Sequence, residues 1–168
     1  MPDDRTHRWR NSQSTGGTFF VTTSTLDRQH RLLTHSTKDT VTRSLLQTSL
    51  ALDARLTHYV LLSNHLHLLV HLPDDINVAD YVRQLKVDAH DRLGEPGVLW
   101  QIGYRGLRIT NEQARHVKIG YIHANPVKSG LAKRPEDYRW SSAHAFDKEC
   151  LDDHLCLDLR KAMNLYAR

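Results

Sequence analysis

The run LTHYVLLSNHLHLLV, residues 56–70, constrains the fold more than any other stretch of the chain. LTHYVLL is strand-like, Ser63-Asn64 makes a tight two-residue turn, and His65 to His71 returns antiparallel. Side chains of a strand alternate between faces, so His65, His67 and Leu69 share one side while Leu66, Leu68 and Val70 share the other. Across such a turn, Leu62, Val60 and His58 join the histidine side. One face is apolar and has to be buried. The other carries two imidazoles side by side.

The flanking segments supply what would cover that apolar face. TFFVTTST (18–25) reads as a strand, and Thr37 can cap a helix to about Leu52 whose inward stripe uses Val41, Leu45 and Leu52. Pro73-Asp74-Asp75 breaks the second hairpin strand. Residues 78–93 then show helical spacing through Val78, Tyr81, Val82, Leu85 and Ala89, and GEPG (94–97) ends that helix. VLWQ and RGLRI supply one or two short strands. In TNEQARHVKIGYIHANP, Thr110 and Gln113 have capping-box spacing and Pro126 stops the helix. The order β-α-β-β-α-β plus one more helix predicts an α/β (α+β) fold, a ferredoxin-like or RRM-like antiparallel sheet with helices on one face and an extra tyrosine-bearing helix. The histidine pair would lie on the opposite face, open to a ligand. LAKRPEDYRWSSAHAF reads as loops and short helices around this scaffold.

The chain's 168 residues suit one domain, with a basic N-terminal arm over 1–17 and a C-terminal extension over 147–168. Lys and Arg exceed Asp and Glu by 23 − 19 = 4, and this basic balance together with 12 histidines leans towards a polyanionic partner. No apolar run approaches the ~18 residues of a membrane span. Two cysteines, Cys150 and Cys156, make no disulfide framework, so the expected compartment is the cytoplasm. Cys150, His154 and Cys156 lack the paired spacing of a zinc site.

Neutral imidazoles are good ligands for divalent metals, and His65 and His67 supply two on one strand face. Alone, the same pair also describes half-exposed strand histidines. Tyr121 and Asn125 are i and i+4 on one helix, hence on one face, where a phenol can act as nucleophile beside an amide oxygen able to bind a hard metal. Alone, Tyr121 also fits a core stripe with Ala114 and Val117, and Asn125 a helix end.

Together, GGTFFVTTSTLDR, YVLLSNHLHLLV, YIHANPVKSGL and RPEDYRWSS, in this order, resemble single-tyrosine HUH transposases, above all the REP-associated tyrosine transposases. The resemblance covers residues 16 to 146. It implies that His65, His67 and Asn125 bind Mg²⁺ or Mn²⁺ and that Tyr121 is the nucleophile. The implied activity is cleavage and rejoining of single-stranded DNA near hairpins through a 5′-phosphotyrosine link, by a monomer or a homodimer. The chain departs from the family pattern in Leu62-Ser63 where Met-Pro is usual, in Gly103-Tyr104-Arg105-Gly106 where His-Asp often follows Gly-Tyr, and in Lys128-Ser129 for Arg-Ala. Any role of that His-Asp does not transfer.

Arg8, Arg10, Arg28, Arg31, Arg105, Arg108, Lys128 and Arg139 are the candidate DNA-binding residues. Trp9, Trp100 and Trp140 are candidate base-stacking platforms, with core roles equally open to the last two. The competing reading is a non-catalytic, RRM-like single-stranded nucleic-acid-binding module, which would have no need of His65, His67, Tyr121 and Asn125 together. A replication-initiating or conjugative nickase shares the histidine pair but typically sits in a longer chain.

Overall fold

The computed structural model describes residues 14–146, and the expected N-terminal arm residues Arg8, Arg10 and Trp9, the Cys150–Cys156 group and the 147–168 extension lie outside them. Four strands, β1 (Thr15–Ser24), β2 (Arg55–Leu61), β3 (His65–Asn77) and β4 (Arg105–Arg108), form an antiparallel sheet in the order β2-β3-β1-β4. Helices α1 (His35–Ala51), α2 (Val78–Leu93), α3 (Glu112–Lys128) and α4 (Ser142–Phe146) complete the architecture. The order of elements and of strands is that of the ferredoxin-like fold expected from the sequence.

Parity in the strands decides the layers. Phe19, Val21, Tyr59, Leu66, Leu68 and Val70 are wholly buried on the face that α1 and α2 cover. From α2, Val78, Tyr81, Val82, Leu85 and Ala89 are all buried, the stripe its spacing predicts. Asn77 caps the helix by accepting the N–H of Ala79 at 2.7 Å, and Gly94 closes it in the left-handed region at φ 61°. Where α1 and α2 meet, the buried Tyr81 hydroxyl bonds Ser49 Oγ at 2.7 Å, so burial of the phenol leaves no polar orphan.

The histidine face is not open, as the sequence suggested, but partly roofed by α3. Tyr121, Lys118 and His123 of α3 meet rings of the sheet on this side. The physical reason is that this face is mixed: Leu62, Val60 and Leu69 stand among the histidines and need cover as well. Inside α3 the buried positions are Ile122, Asn125 and Pro126, whereas Val117 is largely exposed, so the apolar stripe through Ala114 and Val117 does not form the core contact.

Four boundaries differ from the pattern reading. Thr34, not Thr37, caps α1, its Oγ1 accepting from the Thr37 N–H at 3.1 Å. Asn111, not Thr110, caps α3, accepting from Ala114 N–H at 2.8 Å. Pro126 lies inside α3, where only one hydrogen bond is forfeited a turn before the helix closes. The closure is a Schellman motif, with Gly130 (φ 69°) bonding Val127 O at 3.0 Å and Leu131 N–H bonding Pro126 O at 2.8 Å. Pro73 does not end β3. It falls between the Gly17–Leu72 and Thr15–Asn77 pairs, where no partner on β1 needs its missing N–H. Gly16 and Gly17 therefore belong to β1 rather than to an arm. Gly16 (φ 62°) has Asp74 Cα only 2.9 Å from where a Cβ would stand, so a side chain does not fit there.

Residues 138–142 protect the outer edge of β2. Leu61 donates to Trp140 O at 2.9 Å and accepts from the Tyr138 hydroxyl at 2.8 Å. The buried Ser142 hydroxyl accepts the Tyr59 N–H at 3.1 Å and donates to Tyr59 O at 3.2 Å. An edge strand with free N–H and C=O groups invites wrong pairing, and the YRWSS segment satisfies this one.

Candidate active site

The site forms where α3 crosses β3 and β1. His65 and His67 stand on one face as alternation requires, their ring centroids 4.8 Å apart at 79°. Register brings β1 to them: Thr22 lies opposite His67 and Ser24 opposite His65. Phe20, two residues along, stacks on the His67 ring at 5.6 Å and 15°. From above, Tyr121 presents its ring edge to His67 at 5.1 Å and to Phe20 at 6.0 Å. Its hydroxyl lies 3.5 Å from His67 Nε2, at the outer limit of a hydrogen bond, and the side chain remains 41% exposed. A buried His67 and a half-buried His65 thus sit beneath a tyrosine that solvent and a ligand can still reach.

Electrostatics favour neutral imidazoles. Burial, then His65, Arg28 and Lys118, push His67 down to about 3. Burial, then Arg28 and His30, push His65 down to about 4. Both rings are therefore uncharged at neutral pH, with a nitrogen lone pair each. Their Nδ1 atoms are engaged, His67 with Thr22 Oγ1 at 2.7 Å and His65 with Asn64 Oδ1 at 2.6 Å. Among the described residues no group of three or more His, Cys, Asp or Glu is arranged to hold a metal ion. A third protein ligand would have to be of another kind. Asn125, one turn beyond Tyr121 on α3 and buried, has that chemistry.

The cations sort into two groups. Lys118 places Nζ 4.7 Å above the Phe20 ring, Lys128 places its own 5.9 Å from the Tyr121 ring, and the charge of Arg28 acts on both histidines. Arg105, opposite Thr22, stands on the same face of the sheet. The others are engaged elsewhere. Arg31 pairs with Glu95 at 3.6 Å and donates to Val98 O at 2.9 Å. Arg108 lies opposite Phe19, on the α1–α2 face, and donates to Thr15 O at 2.7 Å. Arg139 binds Asp39 of α1 at 3.2 Å, and Trp140 donates its indole N–H to the same carboxylate at 2.8 Å and is buried. Arg139 and Trp140 fasten the YRWSS segment to α1, so neither faces the site.

Sequence reasoning missed Phe20, Thr22, Asn64, His30 and Lys118. Lys118 was within reach, since it precedes Tyr121 by three residues on one helix. Phe20 and Thr22 needed the register of β1 on β3. His58 and His123, the two other histidines that meet on this face, lie at 5.4 Å from each other further along the sheet, where His123 Nε2 bonds Ser142 Oγ at 2.9 Å.

Comparison with known proteins converges on one family. The family model described as "Transposase IS200 like" matches residues 20–125, a span that runs from Phe20 to Asn125 and includes the histidine pair and Tyr121. A REP-associated tyrosine transposase of Escherichia coli (strain K12) is 27% identical over 130 residues, 77% of this chain and 78% of that protein. The solved structure of a REP-associated tyrosine transposase bound to a REP hairpin superposes with a TM-score of 0.72 at 24% identity, covering 81% of this chain and 82% of that one. A Deinococcus radiodurans R1 protein described as a transposase superposes with a TM-score of 0.51 at 20% identity, over 64% of this chain and 88% of its own. The two structural likenesses speak for the fold.

Proposed function

The chain belongs to the IS200-like transposase family, and from that membership we propose that it cleaves and rejoins single-stranded DNA beside hairpins, with Tyr121 as nucleophile. The observation that carries this reading is the half-exposed Tyr121 hydroxyl poised over the neutral His65–His67 pair. In the step, Tyr121 Oη forms a bond to phosphorus and the bond from phosphorus to the 3′ oxygen breaks. The phenolic proton is lost and the departing strand end takes one up as a 3′-hydroxyl. The 5′ end stays on the protein as a phosphotyrosine, which keeps a reactive ester for the reverse attack and makes rejoining possible.

The residues present fit a divalent cation. His65 and His67 offer uncharged nitrogens and Asn125 an amide oxygen, a mixed set suited to Mg²⁺ or Mn²⁺ once substrate or water oxygens complete it. When bound, such an ion supplies charge relief at the phosphoryl oxygen, generally worth several kcal/mol. The chain's own contribution is positioning: Phe20 and His67 wall the phenol on two sides, so its approach to a strand is fixed before substrate arrives. Lys118, Lys128, Arg28 and Arg105 put positive charge where the backbone would run. That the related structure holds a REP hairpin supports a hairpin-flanked partner for this chain as well. The test is incubation with Mg²⁺ and labelled oligonucleotides. Cleavage of a strand flanking a hairpin, with blunt duplex left intact, is expected; binding to both without cleavage of either would favour the binding-module reading.

A further inference from the structure

We propose that Asn64 is a positioning residue that locks His65 in the tautomer with its proton on Nδ1, so that Nε2 faces the site as a lone-pair donor. The inference rests on the reading of His65 as a metal ligand for its purpose, but not for its geometry. Donor and acceptor logic fixes each group in turn. Asn64 Nδ2 donates to the backbone carbonyl of Arg28 at 2.9 Å, and a carbonyl only accepts, so the amide's NH₂ end must point there. Its Oδ1 then faces His65 Nδ1 at 2.6 Å, and an amide oxygen likewise only accepts. The hydrogen between them must belong to His65 Nδ1. A neutral imidazole carries one N–H, so with Nδ1 holding it Nε2 keeps the lone pair.

The surroundings hold Asn64 rigidly in that role. Its own carbonyl accepts from the Thr25 N–H at 2.9 Å and from Thr25 Oγ1 at 3.1 Å, and Thr25 is fully buried. The neighbouring Ser63 carbonyl accepts from Leu32 N–H at 2.9 Å. The Arg28 carbonyl is delivered by two successive non-glycine residues in the left-handed region, Asp27 at φ 52° and Arg28 at φ 55°. That conformation is uncommon for such residues, and here it aims an acceptor at the one amide that orients His65. His67 is different: Thr22 Oγ1 can donate or accept, so its bond to Nδ1 at 2.7 Å leaves that tautomer open. The sequence places Asn64 only as a turn residue. The fold makes it the outer support of a ligand.

The decisive readout uses the protein without metal or DNA. Long-range ¹H–¹⁵N correlation spectra at pH 7.5, with His65 assigned by loss of its signals in His65→Gln, should show Nδ1 as the protonated nitrogen and Nε2 as the bare one. In Asn64→Leu, similar in size but without the acceptor, the His65 signals should move towards the other tautomer. Mn²⁺ affinity measured by calorimetry should fall about tenfold to a hundredfold, the usual effect of removing a ligand's outer partner. Asn64→Asp retains an oxygen acceptor and should keep the Nδ1–H form. A protonated Nε2 in the parent protein overturns the proposal even if Asn64→Leu fails to fold. An unchanged tautomer in a folded Asn64→Leu, or unchanged Mn²⁺ affinity, overturns it too. Because the tautomer is read without cleavage, its failure is distinct from failure of Tyr121 to attack DNA.

Discussion

Replacing Ser142 by alanine tests how the tyrosine helix is fastened to the sheet. The Ser142 hydroxyl has three partners: it accepts from Tyr59 N–H, bonds His123 Nε2 and donates to Tyr59 O, at 3.1, 2.9 and 3.2 Å. Alanine leaves the buried Tyr59 N–H on the edge of β2 without a partner. A buried donor orphaned in this way costs about 1–3 kcal/mol. His123, only half-buried, can turn towards water and adds little. At about 2–4 °C per kcal/mol for a chain of this size, the melting temperature should fall by roughly 2–12 °C. Urea denaturation followed by tryptophan fluorescence would measure the loss, with His123→Phe as comparison. That variant removes one bond but keeps Tyr59 satisfied, so it should cost less than Ser142→Ala. A Ser142→Ala protein within about 0.5 kcal/mol of the parent, the spread of neutral surface changes, would refute the role assigned to residues 138–142.

Acid should weaken the fold. His58 is held at about 4 by burial, His123 and Arg115, below the ordinary value of 6.5, so the unfolded chain binds the proton more readily. Its contribution is complete above pH 6.5 and is lost as pH falls towards 4; denaturation midpoints that stay flat over this window would contradict it. Lys118→Gln should weaken binding to single-stranded DNA and lower the salt slope by about 0.7. Arg139→Gln should leave binding and slope unchanged while lowering stability, as measured by anisotropy titrations beside thermal melts; a lowered slope in Arg139→Gln would put that residue back on the DNA. Excess EDTA, and His67→Ala, should each stop strand cleavage, and cleavage surviving both in a gel assay would remove the metal from the proposal.

The parts of the fold legible in the sequence are those governed by local periodicity. Residues 78–93 read as a helix because five apolar positions share one stripe, and all five are buried. His65 and His67 read as neighbours because strand parity allows nothing else. Long-range partners were not legible. Thr22 meets His67 across 45 residues and Arg139 meets Asp39 across 100, and no local pattern encodes either. The histidine face read as open because sequence does not show that Leu62, Val60 and Leu69 on the same side need a roof. The separation of Arg105 from Arg108 was legible as well, since residues three apart in one strand point to opposite faces. For the site, the family motifs named Tyr121, His65, His67 and Asn125, while Phe20, Thr22 and Asn64 emerged only with the register and the turn.

The most direct test of the central claim is trapping of the covalent intermediate. Protein incubated with Mg²⁺ and an oligonucleotide carrying a hairpin and a labelled flank should give an SDS-stable species whose label belongs to the strand 3′ of the cut. Tyr121→Phe keeps the ring that packs on Phe20 and His67, so it should fold, bind DNA and yield no such species. An adduct of undiminished yield from Tyr121→Phe would contradict the account and move the nucleophile elsewhere.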